Sequence, residues 1–370
     1  MGFYIMNIFI VGFCIYPEKS PRAYRTRELV LEFLRRGHQV TLAIPDVSEA
    51  TKQFADENGF KIIDLGNQLF LDRKTTKRKI WKIFCKCLSR LLGYWLSFPY
   101  ILLVLMIRRR IKVPDDTDIL ISIAAPHAIH WGTSFLKIPP KTVWFADCGD
   151  PFMKSGIVKH HAPFYFAWLE KHWCRKCNYI VVPCEGAKMG YYQEFRNKII
   201  VLPQGFSFDR NKYLSSHTVK HSYPIFIYAG NFYKGFRDVT PFLHWLSTYP
   251  DMFEFHIYSS NADSFIEPFK AMLGKKIFIH SPIERMHLLP ILYEADFLVN
   301  IDNGTPMQMP SKLIDYAVAG RPVLNIEHDF SPAICTEFMH GNYKNKMVLP
   351  PAETLHINTI VEQIISLSSK

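Results

Sequence analysis

PSKLIDYAVAGRPVL, residues 310–324, decides how this chain is read. It follows an apolar run, residues 295–301, that predicts a buried strand. Pro310 and Ser311 predict a helix start, and Gly320 predicts its stop. A second short strand is expected from Pro322. A strand feeding a helix N-terminus is a ready anion site. The first backbone N–H groups lack intrahelical partners, and the dipole is positive there. Lys312 adds a cation at that end. Asp315 lies one turn further in, where a carboxylate can accept hydrogen bonds from a diol. Phosphate at the helix start and ribose one turn along is the layout of a nucleotide-diphosphate site. An ordinary βαβ unit with a solvated Lys and Asp is the alternative, since fold does not fix function.

Apolar segments separated by helical patterns recur on both sides of this one. In the first half, strands are expected at residues 4–11, 39–44, 61–65, 118–123, 141–146, 179–183 and 198–202. The clearest helix is residues 23–36, with Leu29, Val30, Phe33 and Leu34 on one face and Gly37 as its stop. After a polar stretch, residues 207–222, the alternation restarts. Strands are expected at 225–228, 253–258, 276–279, 296–300 and 323–326, with helices near 240–248, 263–272, 285–294 and 311–319. Strand–helix alternation predicts doubly wound parallel sheets. A chain of 370 residues is long enough for two such domains.

PSKLIDYAVAGRPVL resembles the donor-site helix of retaining glycosyltransferases of the GT-B fold, in the large family four (glycosyl transferases group 1). RRGHQVTLAIP (residues 35–45) resembles that family's opening, VLPQGFSF (201–208) its domain junction, and YAGNFYKGFRD (228–238) its phosphate loop. The chain departs from the family's Glu, seven residues, Glu pattern. The first position falls on Met307 and the second on Asp315. The resemblance implies an α/β chain of two Rossmann-like, doubly wound domains facing a central cleft. Residues 1–205 would bind the acceptor and 206–350 the nucleotide-sugar donor, while 351–370 would cross back as a helix. It implies transfer of a sugar from a UDP- or GDP-type nucleotide-diphosphate donor to a lipid-linked glycan acceptor, in bacterial surface-polysaccharide assembly. A nucleotide-sugar epimerase of the same fold and a non-catalytic GT-B partner subunit are the alternatives.

The resemblance carries over to individual residues. Gly230 and Asn231 open the phosphate loop; Lys234 and Arg237 are its cations; Ser311, Lys312 and Asp315 complete the donor site. Together these would stabilise a leaving diphosphate electrostatically. With no Asp-x-Asp run at a strand end, neither a metal nor another cofactor is expected. The loop 280–284 would face the base. In the first half, the fifth strand ends in Asp147-Cys-Gly-Asp150-Pro. Asp147 is expected to orient the acceptor hydroxyl, while Asp150 ahead of Pro151 reads as a helix cap. His127 and His130, in SIAAPHAIHWG, face the same rim. One of them would contact acceptor or donor sugar, although each alone is more often structural. Arg22 and Arg25, with Arg27, would receive an acceptor phosphate.

The formal charge of +11 comes from 44 basic and 33 acidic residues. Residues 73–113 contain 12 Lys or Arg and no Asp or Glu, which leaves the remainder nearly neutral. Basicity is therefore local, and no nucleic-acid partner is expected. Within the segment, Lys79, Lys82, Lys86 and Arg90 oppose an apolar stripe at helical spacing. LLGYWLSFPYILLVLMI (residues 91–107) follows, then three Arg. A spanning helix would be short and interrupted by Gly93 and Pro99. It would also split one sheet across the bilayer. A buried core helix explains residues 100–107 in part. Docking on an anionic membrane surface explains the acid-free rim as well. No cleavable signal is expected from the opening residues, and eight scattered Cys suggest no secreted framework. A cytoplasmic protein, peripheral on the inner face of the membrane, is expected. Cys174 and Cys177 form a CxxC without a second pair, so no metal site is expected there.

Overall fold

A computed structural model of the chain describes residues 4–68, 79–154, 162–209, 221–235 and 237–369, with the side chains of residues 79–87 excepted. Arg73 and the other residues up to 78 that open the basic segment lie outside the described residues, as do the side chains of Lys79, Lys82 and Lys86.

The chain forms two compact units. Unit 1 comprises Met1–Ser207 and Ile357–Lys370. Its strands are β1 (Asn7–Val11), β2 (Gln39–Ile44), β3 (Lys61–Asp64), β4 (Ile119–Ile123), β5 (Val143–Asp147), β6 (Tyr179–Val182) and β7 (Ile199–Val201). They form one parallel sheet in the order β3-β2-β1-β4-β5-β6-β7. All five residues of β4 are buried, as a strand covered on both faces requires. The helices are α1 (Pro21–Arg35), α2 (Glu49–Asn58), α3 (Lys79–Leu96), α4 (Leu102–Arg110), α5 (Ala128–Ser134) and α6 (Phe166–Lys176). The α1 helix starts where the Ser20 side chain accepts a hydrogen bond from the Ala23 N–H, with Pro21 at the first helical position.

Unit 2 is Phe208–His356. It holds β8 (Ile225–Ala229), α7 (Thr240–Thr248), β9 (Glu254–Tyr258), α8 (Asp263–Ile266), β10 (Ile277–His280), α9 (Arg285–Glu294), β11 (Phe297–Ile301), α10 (Lys312–Ala319), β12 (Val323–Ile326) and α11 (Pro332–Met339). Its parallel sheet runs β10-β9-β8-β11-β12. Both sheets reverse strand order beside their first strand, which puts a topological switch point in each unit. These are the two Rossmann-like, doubly wound sheets expected from the sequence.

The chain's last helix, α12 (Ile357–Ser368), belongs to unit 1. Its Ile360, Val361 and Ile364 share a buried cluster with Leu29, Val30 and Phe33 of α1. Each such side chain contributes about 1.5–3 kcal/mol on burial. Polar contacts fix the register. Arg36 Nη2 donates to the Asn358 carbonyl at 2.7 Å, and the Ile357 N–H donates to the Phe206 carbonyl at 3.0 Å.

The apolar run 91–107 is two helices, broken at Ser97, whose φ of 54° is left-handed. The second, α4, is core: Leu103 and Ile107 are fully buried. A Cβ on Gly132 of α5 would come within 2.7 Å of the Ile107 side chain, so glycine there allows α4 and α5 to meet. The end of α3 is different, with Leu91, Tyr94, Trp95 and Leu96 exposed. No described helix is long and apolar enough to cross a membrane.

Because α12 completes the core of unit 1, Ile360→Ala should destabilise that unit by about 2–5 kcal/mol. A tryptophan-monitored denaturant titration checks this, since Trp131, Trp144 and Trp173 are all buried in unit 1. An unchanged midpoint would mean that α12 adds nothing to that core.

Candidate functional site

The switch point of unit 2 gathers most of the residues expected to hold a donor. The β8 and β11 strands pair at only two positions, Phe226 with Phe297 and Ile227 with Leu298. Beyond these their backbones lose one another. The Tyr316 hydroxyl of α10 takes over, accepting from the Ala229 N–H at 3.0 Å and donating to the Val299 carbonyl at 3.0 Å. The α10 N-terminus is thereby held at the opening. Gly230 turns at the end of β8 with a φ of 145°, where glycine is favoured. A Cβ there would meet the Tyr228 hydroxyl at 3.3 Å and Lys312 Cδ at 3.7 Å.

Lys312 is the unusual member. It is 8% exposed, and among the described residues its Nζ has no hydrogen-bond partner. Nζ lies 4.1 Å from the centroid of the Tyr228 ring. Burial, and secondarily the Arg237 charge, push its pKa well below the ordinary lysine value. Arg237 is aimed by Asn303, whose Oδ1 accepts from Nε at 2.9 Å and Nη2 at 2.7 Å. Asn231 braces the loop: its Oδ1 accepts from Ser259 Oγ and from the Ser260 N–H and Oγ. Asp315 is buried and paired with Arg285 of α9 at 2.5 Å. Burial pushes its carboxyl up, and Arg285 opposes this. Ser311 precedes α10 without a side-chain cap. Lys234 is exposed. Asn303 and Arg285 were missed by sequence reasoning, because neither lies in a motif and each acts through the residue it orients. In the loop expected to face a base, the His280 ring stacks on Tyr258 at 4.5 Å, and its Nε2 lies 2.9 Å from His256 Nδ1.

Unit 1 changes several assignments. Asp147, at the end of β5, is buried and held by two arginines. Arg25 donates to Oδ2 from Nε at 2.9 Å and Nη2 at 2.7 Å, and Arg22 Nη1 donates to Oδ1 at 3.2 Å. Arg25 is 2% exposed and also donates to the Pro203 carbonyl. The expected acceptor cations and the expected catalytic carboxylate are thus spent on one another. Of these three, Arg22 lines a cavity. His130 is a core residue: its Nδ1 lies 2.8 Å from Ser122 Oγ, its Nε2 lies 3.3 Å from Cys148 Sγ, and its ring packs on Trp173. His127 does line the cavity, and burial pushes its pKa down to about 4. Asp150 caps no helix in the described residues that follow, since 151–154 are irregular. Cys174 and Cys177 are buried, and burial pushes the Cys177 thiol up to about 12.

No protein-family model and no curated protein matches the sequence. Solved structures do resemble the fold. A glycosyltransferase from Rickettsia africae ESF-5 aligns over 99% of this chain and 98% of its own, with a TM-score of 0.60 and 10% identity. TarM aligns over 99% and 92%, with a TM-score of 0.57 and 11% identity. The UDP-GlcNAc 2-epimerase from Neisseria meningitidis, bound to UDP-GlcNAc, aligns over 99% and 100%, with a TM-score of 0.53 and 13% identity. At such identities the likeness establishes the fold, and the fold is GT-B.

The double ion pair makes Asp147 a structural anchor first. Asp147→Asn should lower stability by about 3 kcal/mol, because it leaves Arg25 charged and buried without its counter-ion. Thermal or denaturant melts check this. A wild-type melt would return Asp147 to the list of dispensable or purely catalytic groups.

Proposed function

We propose that the protein is a retaining glycosyltransferase that moves a sugar from a nucleotide-diphosphate donor to a lipid-linked glycan acceptor. The buried, unpartnered Lys312 ammonium carries the reading. A charge buried here without a counter-ion is unfavourable by several kcal/mol, so the free side chain holds its proton weakly, and a diphosphate is the counter-ion that would favour the charged form. The α10 N-terminus and Arg237 point to the same ligand. Asp315, held by Arg285, then meets the ribose diol one turn along. When the bond from the sugar's anomeric carbon to the diphosphate breaks, Lys312, Arg237 and the helix N-terminus stabilise the developing charge. The acceptor oxygen bonds the anomeric carbon on the same face, and its proton passes to the departing diphosphate. UDP- and GDP-type donors both fit, and the residues supply the charge stabilisation without a bound metal. An epimerase acting on a nucleotide sugar is the second reading, favoured by the likeness to the 2-epimerase. It has no use for an acceptor or for an exposed aromatic surface.

Such a surface supports the membrane part of the proposal. Beside the exposed end of α3, Phe164 and Trp168 are 86% and 59% exposed, and the Tyr165 hydroxyl contacts the Trp95 carbonyl. Sequence reasoning missed this second segment, which lies some 70 residues from the first. Arg90, Arg108, Arg109 and Arg110 are exposed in α3 and α4. Aromatics at the interface and cations on anionic headgroups are the chemistry of surface docking at the inner face of a cytoplasmic membrane.

Lys312→Met should abolish the nucleotide-induced rise in Tm, a loss of about 1.5–3 kcal/mol in binding. The same change should stabilise the free protein near neutral pH. A lysine whose folded pKa lies below its unfolded value binds fewer protons when folded, so it weakens the fold increasingly as pH falls through that window. Binding of UDP or GDP should take up a proton onto Lys312, so calorimetric enthalpies should vary with buffer ionisation heat. Unchanged nucleotide affinity in Lys312→Met would overturn the donor site. Separately, reversing Arg90, Arg108, Arg109 and Arg110 to Glu should weaken cosedimentation with phosphatidylglycerol vesicles by at least about tenfold, at roughly 1 kcal/mol per cation. Equal binding of both proteins would remove the membrane from the proposal.

A further inference from the structure

In unit 2, β10 is the edge strand of the sheet and pairs with β9. A four-residue edge strand has few backbone hydrogen bonds to hold it. Side chains on one face of the pair add to them. Glu254, His256 and Tyr258 alternate along β9 with the buried Phe255 and Ile257. The register sets His256 beside Phe278 and Tyr258 beside His280. The rings stack accordingly, His256 on Phe278 at 5.0 Å and His280 on Tyr258 at 4.5 Å. Across the strands, His256 Nδ1 and His280 Nε2 face each other at 2.9 Å. His256 Nε2 lies 3.2 Å from Glu254 Oε2, and the Tyr223 hydroxyl donates to Glu254 Oε1 at 2.8 Å.

These contacts fix where the protons sit. The Tyr223 hydroxyl, and after it the His256 ring, hold the Glu254 carboxyl below its ordinary value, so it stays charged. A carboxylate only accepts, so His256 Nε2 carries a proton and donates to it. In the neutral His256 ring Nδ1 is then an acceptor, and His280 Nε2 must donate to it. The gap between the rings has room for one proton. A further proton can enter at His280 Nδ1 without disturbing that bond. Once both rings are charged, both facing nitrogens carry hydrogen, and the contact becomes a repulsion between like charges. Burial, and secondarily the His256 charge, push the His280 pKa down. Among the described residues, the other titratable groups at the pair are Tyr258 and, acting on Glu254, His221, which is paired with Asp296 at 3.1 Å. His280 ends β10. Four exposed residues, 281–284, lead from it to Arg285, which holds Asp315.

We propose that the His256–His280 contact is an acid-sensitive latch, which holds the end of β10 and the loop 281–284 at neutral pH and releases them when both rings are charged. That the release also weakens nucleotide binding, through Arg285 and Asp315, rests on the donor-site reading; the latch itself does not. A histidine whose folded pKa lies below its unfolded value binds fewer protons when folded. Stability is therefore lost as pH falls below the ordinary histidine range.

Hydrogen exchange on the full chain, corrected for the intrinsic effect of pH on exchange, tests the latch without a nucleotide. Between about pH 7.5 and about pH 5, either side of the ordinary histidine value, protection of residues 278–284 should fall. The fall should be about threefold to tenfold, the worth of one neutral hydrogen bond. In His280→Gln it should vanish, because an amide can donate to His256 Nδ1 or, turned over, accept from it, and gains no charge. His280→Phe keeps a ring on Tyr258 and should show the low protection at both pH values. Nitrogen-15 spectra of histidine-labelled wild type give a second measurement, in which both rings should be Nε2–H tautomers at neutral pH. Unchanged protection in wild type, the same fall in His280→Gln, or an Nδ1–H tautomer at either ring would each overturn the proposal. Melting shifts induced by UDP or GDP at about pH 5 should be smaller in wild type than in His280→Gln. Equal shifts would sever the latch from the site, whereas no shift in either protein at any pH would count against the donor site alone.

Discussion

The parting of β8 and β11 after two residue pairs is the constraint on which the arrangement of charged groups in unit 2 depends. Parallel strands at a switch point must diverge, and divergence strands backbone donors and acceptors in a buried place. One hydroxyl, on Tyr316, satisfies an N–H on one strand and a carbonyl on the other. Because Tyr316 lies in α10, the repair also locates the start of that helix. Lys312 is one turn before it, and Asp315 is its neighbour. The positions of the charged groups are therefore consequences of a backbone hydrogen-bond requirement.

Unit 1 solves the same problem with charge. The end of β5 carries Asp147, and α1, which follows β1, carries Arg22 and Arg25. Their ion pairs tie two elements on either side of that sheet's switch point. A buried pair of this kind is a weak source of net stability and a costly thing to break. It also engages those groups with one another.

Among the described residues, the buried polar groups without partners include the Lys312 side chain in unit 2 and the Gln68 amide in unit 1. Well-packed interiors avoid such groups, because desolvation is not repaid. Both occur at the C-terminal edge of a parallel sheet, where ligands bind in open α/β folds.

The sequence by itself determined the two sheets, most helices of unit 2 and the place of α10. Those depend on local regularities, namely apolar runs for buried parallel strands, helical periodicity, and Pro, Ser and Gly at helix ends. The run 310–324 was legible because its chemistry is contiguous along the chain. What only the tertiary structure decided is which side chains are free. Asp147 and Arg25 are 122 residues apart. Each taken alone reads as a functional group, and only the fold shows that they neutralise each other. His130 looked equivalent to His127 three residues earlier, but only the fold shows that the His130 ring meets Ser122 and Cys148 in the core while His127 lines a cavity. Asn303, Arg285 and Gln68 carried no signal, because an amide or guanidinium acquires its role from the groups it meets or fails to meet. The aromatic surface joins α3 to α6 across 70 residues, a contact that no local pattern encodes.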